Sequence, residues 1–330
     1  MENDLIQQTL ELNAKKKQQV MSVLPFTGLV FITIFFIIVT HGRFLNVSNL
    51  ASIVTSTFTI TLVSCGAVFV YAHGGLDFSI GATSGLAQFV CIFIIMRLGL
   101  PVPLGILGSV VVSIAACSVV ALASIKLHIH PFVASLCVRN ISHGILSVVT
   151  QKVGGQIPLD YSRFKVFNSV GIKLAVLLVM VAAGFYLFEK TKVGKIQKAI
   201  GGNSRVVEQA GINADHYKMA AYMILGFCVG IAAFFQMTRI GIVSNSSGSG
   251  LEFDIMIAMV LGGFPMSGGS AAKFRQFVLG GLTMTILTNG LTMWGLGVSY
   301  VSLVKGLLLI VLVGVSYDRS TMKQVSMISL

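Results

Sequence analysis

Charge is what this sequence has least of. Lysine, arginine, aspartate and glutamate make up 10% of its 330 residues, against about a quarter in soluble domains. The chain therefore lacks the polar surface that a water-soluble shape of this length needs. Acidic residues are the scarcer sign, 11 against 23 basic. The five cysteines, Cys65, Cys91, Cys117, Cys137 and Cys228, never form a C-x-x-C pair, which removes the usual redox and zinc spacings. All five lie in apolar tracts and read as small packing residues. The six histidines show no H-E-x-x-H pattern, and no G-x-x-x-x-G-K-[ST] loop occurs, so neither a zinc site nor P-loop nucleotide hydrolysis is expected. No cofactor is implied.

What is abundant is apolar length. Hydrophobic residues make up 55% of the chain and the mean hydropathy is +0.89. Apolar tracts lie near 20–40, 50–72, 81–96, 102–125, 131–150, 170–188, 219–238, 255–264, 276–294 and 297–317. Most have helix length, and the ~10-residue alternation of an outer-membrane barrel is absent. The sequence thus predicts an all-α integral membrane protein of about ten spans, with eight or nine as the alternative. Residues 1–19 form a polar N-terminal segment, 20–318 one transmembrane domain, and 319–330 a tail. Lys15, Lys16 and Lys17 precede the first tract as in a signal peptide, but no A-x-A-like cleavage site follows, so an uncleaved first helix is expected. With the N-terminus inside, the inner segments hold fourteen of the basic residues and the outer ones seven. That bias puts both termini in the cytoplasm. The net charge of +12 then reflects basic inner loops beside anionic headgroups. It lacks the aromatic interleaving of a nucleic-acid surface.

One stretch sits badly in such a chain. "HGGLDFSIGATSG", His73 to Gly85, puts an aspartate and four glycines between two apolar tracts. Gly74 and Gly75 allow a helix break there, after which Asp77 or Ser79 can cap the next helix by accepting from its free N–H groups. Broken backbone at membrane depth is tolerated only within protein or along a water-filled path. The alternatives are therefore a gate in a pathway and an ordinary capped loop at the inner surface. "GLDFSI", Gly75–Ile80, is echoed by "GLEFDI", Gly250–Ile255, five spans later, and an odd repeat length inverts direction across the membrane as in transporter repeats. The inner segment 189–217 carries Val193, Ile196, Ile200, Val206, Val207 and Ala210 at helical spacing around Gly201-Gly202-Asn203. It predicts two short amphipathic helices that dock a cytoplasmic partner.

Taken together, these segments resemble permease subunits of bacterial ABC importers of the ribose, galactoside and autoinducer-2 class. "HGGLDFSIGATSG" is similar to that family's G-G-[IL]-D-[LF]-S-[VI]-G element, and "HPFVASLCVRNISHG" to its P-F-[IV]-x-[TS]-L stretch. "KAIGGNSRVVEQAGI", "SGSGLEFDIMIAMVLGG" and "LTNGLTMWGLGVSYVSLVKG" resemble three further elements, so the likeness runs from about Asn46 to Asp318. It implies a ten-span, non-catalytic subunit in the bacterial plasma membrane. That subunit pairs with a second permease, identical or paralogous, docks on cytoplasmic ABC ATPases and receives its solute from an extracytoplasmic binding protein. By the resemblance, Gly201, Gly202, Asn203, Gly211 and Ile212 fall in the ATPase-coupling segment. Gly74, Gly75, Asp77, Ser79 and Gly81 fall in the break after span two, Glu252 and Asp254 at the outer start of span eight, and Lys305 in span ten.

The chain departs from the pattern at Ala271 and Arg275, where the family carries glycines, at Val206 and Val207 in place of paired alanines, and at His143 in place of an arginine. Close helix approach near Ala271 is thereby in question. The expected function is the translocation path for a monosaccharide or similar small polar solute. Nucleosides and branched-chain amino acids, taken by related permeases, remain alternatives. A carrier driven by an ion gradient is the competing class. It would need a relay inside the membrane, and the charges well inside the tracts, Arg139 and Lys305, have no carboxylate in evident reach along the sequence.

Overall fold

The computed structural model describes residues 25–316; the N-terminal segment 1–19 and the tail 319–330 lie outside the described residues. Each of the ten apolar tracts contains a helix. In chain order the elements are α1 (Pro25–Val39), α2 (Val47–Ala72), α3 (Ile80–Arg97, its last turn π-helical), α4 (Val102–Lys126) and α5 (Pro131–Lys152). Strand β1 (Gln156–Pro158), the short α6 (Tyr161–Phe164), α7 (Val170–Lys190), α8 (Lys192–Gln209) and α9 (Ala214–Ile240) follow. The chain continues through β2 (Ile242–Ser244), α10 (Leu251–Leu261), α11 (Arg275–Met293) and α12 (Val298–Ser316).

Six of these helices, α2, α3, α4, α5, α7 and α9, are long and apolar enough to cross a membrane. Helix α10 is not: its 11 residues rise only about 16 Å, roughly half the hydrocarbon thickness.

Local chemistry sets the ends. Asn46 accepts from the Ser48 N–H at the start of α2, and Asn213 from the His216 N–H at the start of α9. Helix α9 stops at Gly241, whose φ of +78° is the left-handed conformation that glycine adopts without penalty. Helices α2 and α9 form the centre and run antiparallel. Phe58 meets Phe235 with ring centroids 4.8 Å apart, Gly66 lies against Leu225 and Cys228, and His73 reaches Tyr222. Gly226 and Gly230 press α9 onto the backbone of α4 at Ser109–Ile114, the small-residue packing that membrane interiors favour. Cys65, Cys91, Cys117 and Cys228 are buried as expected, whereas Cys137 is exposed on α5.

The two ends of this bundle differ. At one end, β1 and β2 pair antiparallel, Ile157 opposite Val243, which joins the segment after α5 to the segment after α9. At the other lies α8, with Ile200, Val207 and Ala214 forming a small core of their own.

Candidate functional site

The first break forms as the glycines predict. Gly74 takes φ +82° and donates to the Tyr71 carbonyl, Gly75 donates to that of Val70, and the chain stays non-helical until Ser79. The capping differs from expectation. Asp77, 2% exposed, accepts from the backbone N–H and the hydroxyl of Ser79 at 2.7 and 2.6 Å, and Ser79 makes no side-chain cap of its own. One carboxylate oxygen closes the turn ahead of α3 and the other is buried without a hydrogen-bond partner; neither caps the helix beyond Ser79. Phe78 donates its N–H to Ser135 Oγ on α5 at 3.0 Å, which fixes the break to a neighbouring helix.

The second break follows the same plan. Gly248 and Gly250 take φ of +78° and +84°, and α10 starts with Glu252 and Asp254 in its first turn. The two breaks lie against each other, head to head. Phe78 and Phe253, equivalent positions of the two motifs, meet edge-on at 5.7 Å. Beside them a Cβ at Gly81 would run into the Glu252 carboxylate and the Gly248 carbonyl, and one at Gly85 into the Ser247 carbonyl. The absent side chains at Gly81 and Gly85 are what let the segments touch.

Arg139 and Lys305, the two cations expected within the apolar tracts, both find acids here, contrary to the sequence reading. Arg139 on α5 pairs with Glu252 at 3.2 Å, and Lys305 on α12 with Asp254 at 2.7 Å. The carboxylates come from α10, distant in sequence, so no local spacing could expose them. Glu252 is 2% exposed, and a buried charge of this kind persists only when paired. Arg139 and Lys305 thus flank one short helix from two sides.

Helix α8 is the second part of the site. Asn203 interrupts α8 with φ −164° and ψ 105°, and its side chain accepts from Arg205 N–H and Val206 N–H, a cap for a second short helix. The expected apolar stripe divides. Ile200 and Val207 turn inward, while Val206 and Ala210 stay exposed beside Gly202, whose Cβ position is open. Gly211, at φ +77°, and Ile212 make the turn into α9.

Sequence reasoning missed what α8 touches. Gly201 sits directly on the Ala72 carbonyl and the Gly269 N–H, and Gly269 itself donates to Ala72 at 2.9 Å. Gln197 bonds His73 at 2.8 Å and also the Tyr217 carbonyl. Glu189 accepts from Lys198 at 2.6 Å and from Phe274 N–H at 2.8 Å. The last turn of α2 and the turn after α10 therefore meet on α8. Close approach survives the departures near Ala271: Gly268 and Gly269 supply it, and Ala271 and Arg275 are exposed.

Residues 49–313 match the family described as branched-chain amino acid transport system / permease component. The chain belongs to that family. Among curated relatives, the ribose import permease RbsC of Escherichia coli K12 is 24% identical over 282 residues, covering 82% of this chain and 86% of its own. The galactose/methyl galactoside import permease MglC of Haemophilus influenzae is 25% identical over 328 residues, covering 92% and 97%. RbsC of Bacillus subtilis is 28% identical over 300 residues, covering 89% and 92%. No solved structure matches the chain. The permease is a multi-pass membrane protein, and its relatives are import permeases of sugars.

Proposed function

We propose that this permease forms the translocation path of an ATP-driven importer for a monosaccharide, with ATP hydrolysis in separate cytoplasmic subunits. The observation that carries the reading is the seat of α8. Its kinked, half-exposed helix rests on Ala72 and Gly269, the backbone that leads into the first break and out of α10. A partner that shifts α8 would displace both. In this reading Gly201, Gly202, Asn203, Gly211 and Ile212 make up the coupling surface, and Val206 and Ala210 meet the ATPase. Gly74, Gly75, Asp77, Ser79 and Gly81, with Glu252 and Asp254, form the gate.

The ten helices are read as ten crossings in two inverted halves, with α3 and α10 starting from the membrane interior, both termini cytoplasmic, in a bacterial plasma membrane. The antiparallel pairing of α2 with α9, and of one GLxF motif with the other, supports this, since inverted repeats bring discontinuous helices together at the midplane. A second permease subunit and an extracytoplasmic binding protein complete the assembly. The family description names branched-chain amino acids; the relatives' names favour a sugar.

The ion pairs Arg139–Glu252 and Lys305–Asp254 also suit a carrier coupled to an ion gradient, which is the second reading. The test is reconstitution with a co-expressed ABC ATPase. Stable co-purification and ATP-dependent sugar uptake, both weakened by Gly202→Asp, are expected. Uptake that ignores ATP and collapses when the proton or sodium gradient is dissipated would replace this reading with the second.

A further inference from the structure

Helix α5 has three sides. Ala134, Ser135, Val138, Ser142, Leu146 and Thr150 form the buried ridge, which packs on α3 and α4. The rest is wholly or partly exposed; Val133 and Leu136 keep the first turns apolar all round, and from Cys137 to Gln151 the exposed surface divides by chemistry. Cys137, Ile141, Ile145 and Val148 recur every three or four residues on one side, a surface that lipid or an apolar subunit face accepts. Asn140, His143, Ser147 and Gln151 recur at the same spacing on the other, with Arg139 at their edge. By helical geometry these are separate faces.

Asn140 and His143 lie near the middle of a 22-residue membrane-length helix. Ionisable and amide groups there are costly against hydrocarbon, and in spanning helices they face a cavity or the bundle interior. The α5 polar face is not in the interior of this chain, since Asn140, His143 and Gln151 are exposed among the described residues. It is also tied to the breaks, because Arg139 joins it to Glu252 at 3.2 Å with 38% of its own side chain still exposed.

We propose that this face of α5 is the wall of the path that touches the solute, and that it selects neutral, hydroxylated molecules. The inference rests on the importer reading and deepens it. An amide, an imidazole and a hydroxyl offer both donors and acceptors, and a guanidinium carries five N–H donors, a set that matches sugar hydroxyls. No carboxylate stands on the face to hold a cation or an amino acid's ammonium group. The one permanent cation, Arg139, is already engaged by Glu252, so an anion would find little uncompensated charge.

Cysteine accessibility tests this in the reconstituted complex. Cys137→Ala removes the exposed native thiol, and Asn140→Cys, His143→Cys, Ile141→Cys and Ile145→Cys are then introduced singly. Asn140→Cys and His143→Cys should react with a charged, membrane-impermeant methanethiosulfonate about tenfold faster than the two isoleucine positions. Whichever of D-ribose, D-galactose or D-allose is transported should slow that reaction. Equal rates on both faces, or polar-face thiols that sugar never protects, would overturn the proposal. Uptake by the Cys137→Ala parent separates the two claims: ATP-driven sugar uptake without the labelling contrast removes only the role of α5. Absence of ATP-driven sugar uptake in the unaltered complex removes the importer reading itself. As a further readout, His143→Ala should raise the KM for uptake severalfold and change the maximal uptake rate less.

Discussion

A carboxylate at 2% exposure and a guanidinium whose side chain is 38% exposed do not lose the same thing when the partner is removed. Arg139→Met strands Glu252 as an unpaired buried charge, a change that costs roughly 3–5 kcal/mol in other proteins. Glu252→Gln leaves Arg139 with access to water and costs less. The expected order of thermal midpoints in detergent is therefore wild type, then Glu252→Gln, then Arg139→Met. The double variant should recover part of what Arg139→Met loses, because the stranded charge is gone. A similar contrast separates two glycines. Gly81→Ala drives a methyl into Glu252 and the Gly248 carbonyl, overpacking worth about 1–3 kcal/mol. Gly202→Ala adds a methyl to open space and should shift the midpoint by less than about 0.5 kcal/mol equivalent. The clash at Gly81 was not legible in the sequence, which shows a glycine as permission for a break. Its partner, the Glu252 side chain, arrives only through folding.

At the scale of the element, α8 was the most readable part of the chain. Its apolar spacing and the Gly-Gly-Asn interruption correctly indicated two amphipathic pieces, because helix periodicity and Asn capping are local effects. What the periodicity could not give was the division between Val207, which is buried, and Val206, which is 57% exposed. That depends on where the start of α9 lies. Asn203→Ala removes the acceptor for two N–H groups and should cost the short second piece about 1 kcal/mol. The expected result is weaker co-purification with the ATPase at an almost unchanged thermal midpoint, read by affinity capture and a melting curve on the same preparation. Helix α10 shows the opposite case. Its apolar tract predicts a span, yet Gly248, Gly250 and Gly262 bound it to 11 residues, and only its contacts show why so short a helix is stable. Gly262 and Gly280 bring α10 and α11 together at backbone distance, and two ion pairs hold its first turn.

For the whole molecule, hydropathy found a helix for every tract because burying the backbone in lipid leaves few other structures. Pairings between helices were not legible, apart from the GLDFSI and GLEFDI echo, which pointed to two related breaks without saying that they touch. One long-range device had no sequence signal at all: the three-residue strands β1 and β2 are too short to declare themselves. Their pairing has a mechanical result. Helix α5 runs into β1, β1 is bonded to β2, β2 leads within seven residues to α10, and Glu252 of α10 returns to Arg139 of α5. The four pieces form a closed linkage, and a closed linkage has fewer independent motions than an open chain of the same parts. With both ties made, α10 and α5 turn as one body. With the ion pair released, the ribbon is left as the hinge, and it keeps the two charges within a short tether of each other. Re-closure is then an intramolecular step at high effective concentration, so the ion pair, once broken, re-forms without a search.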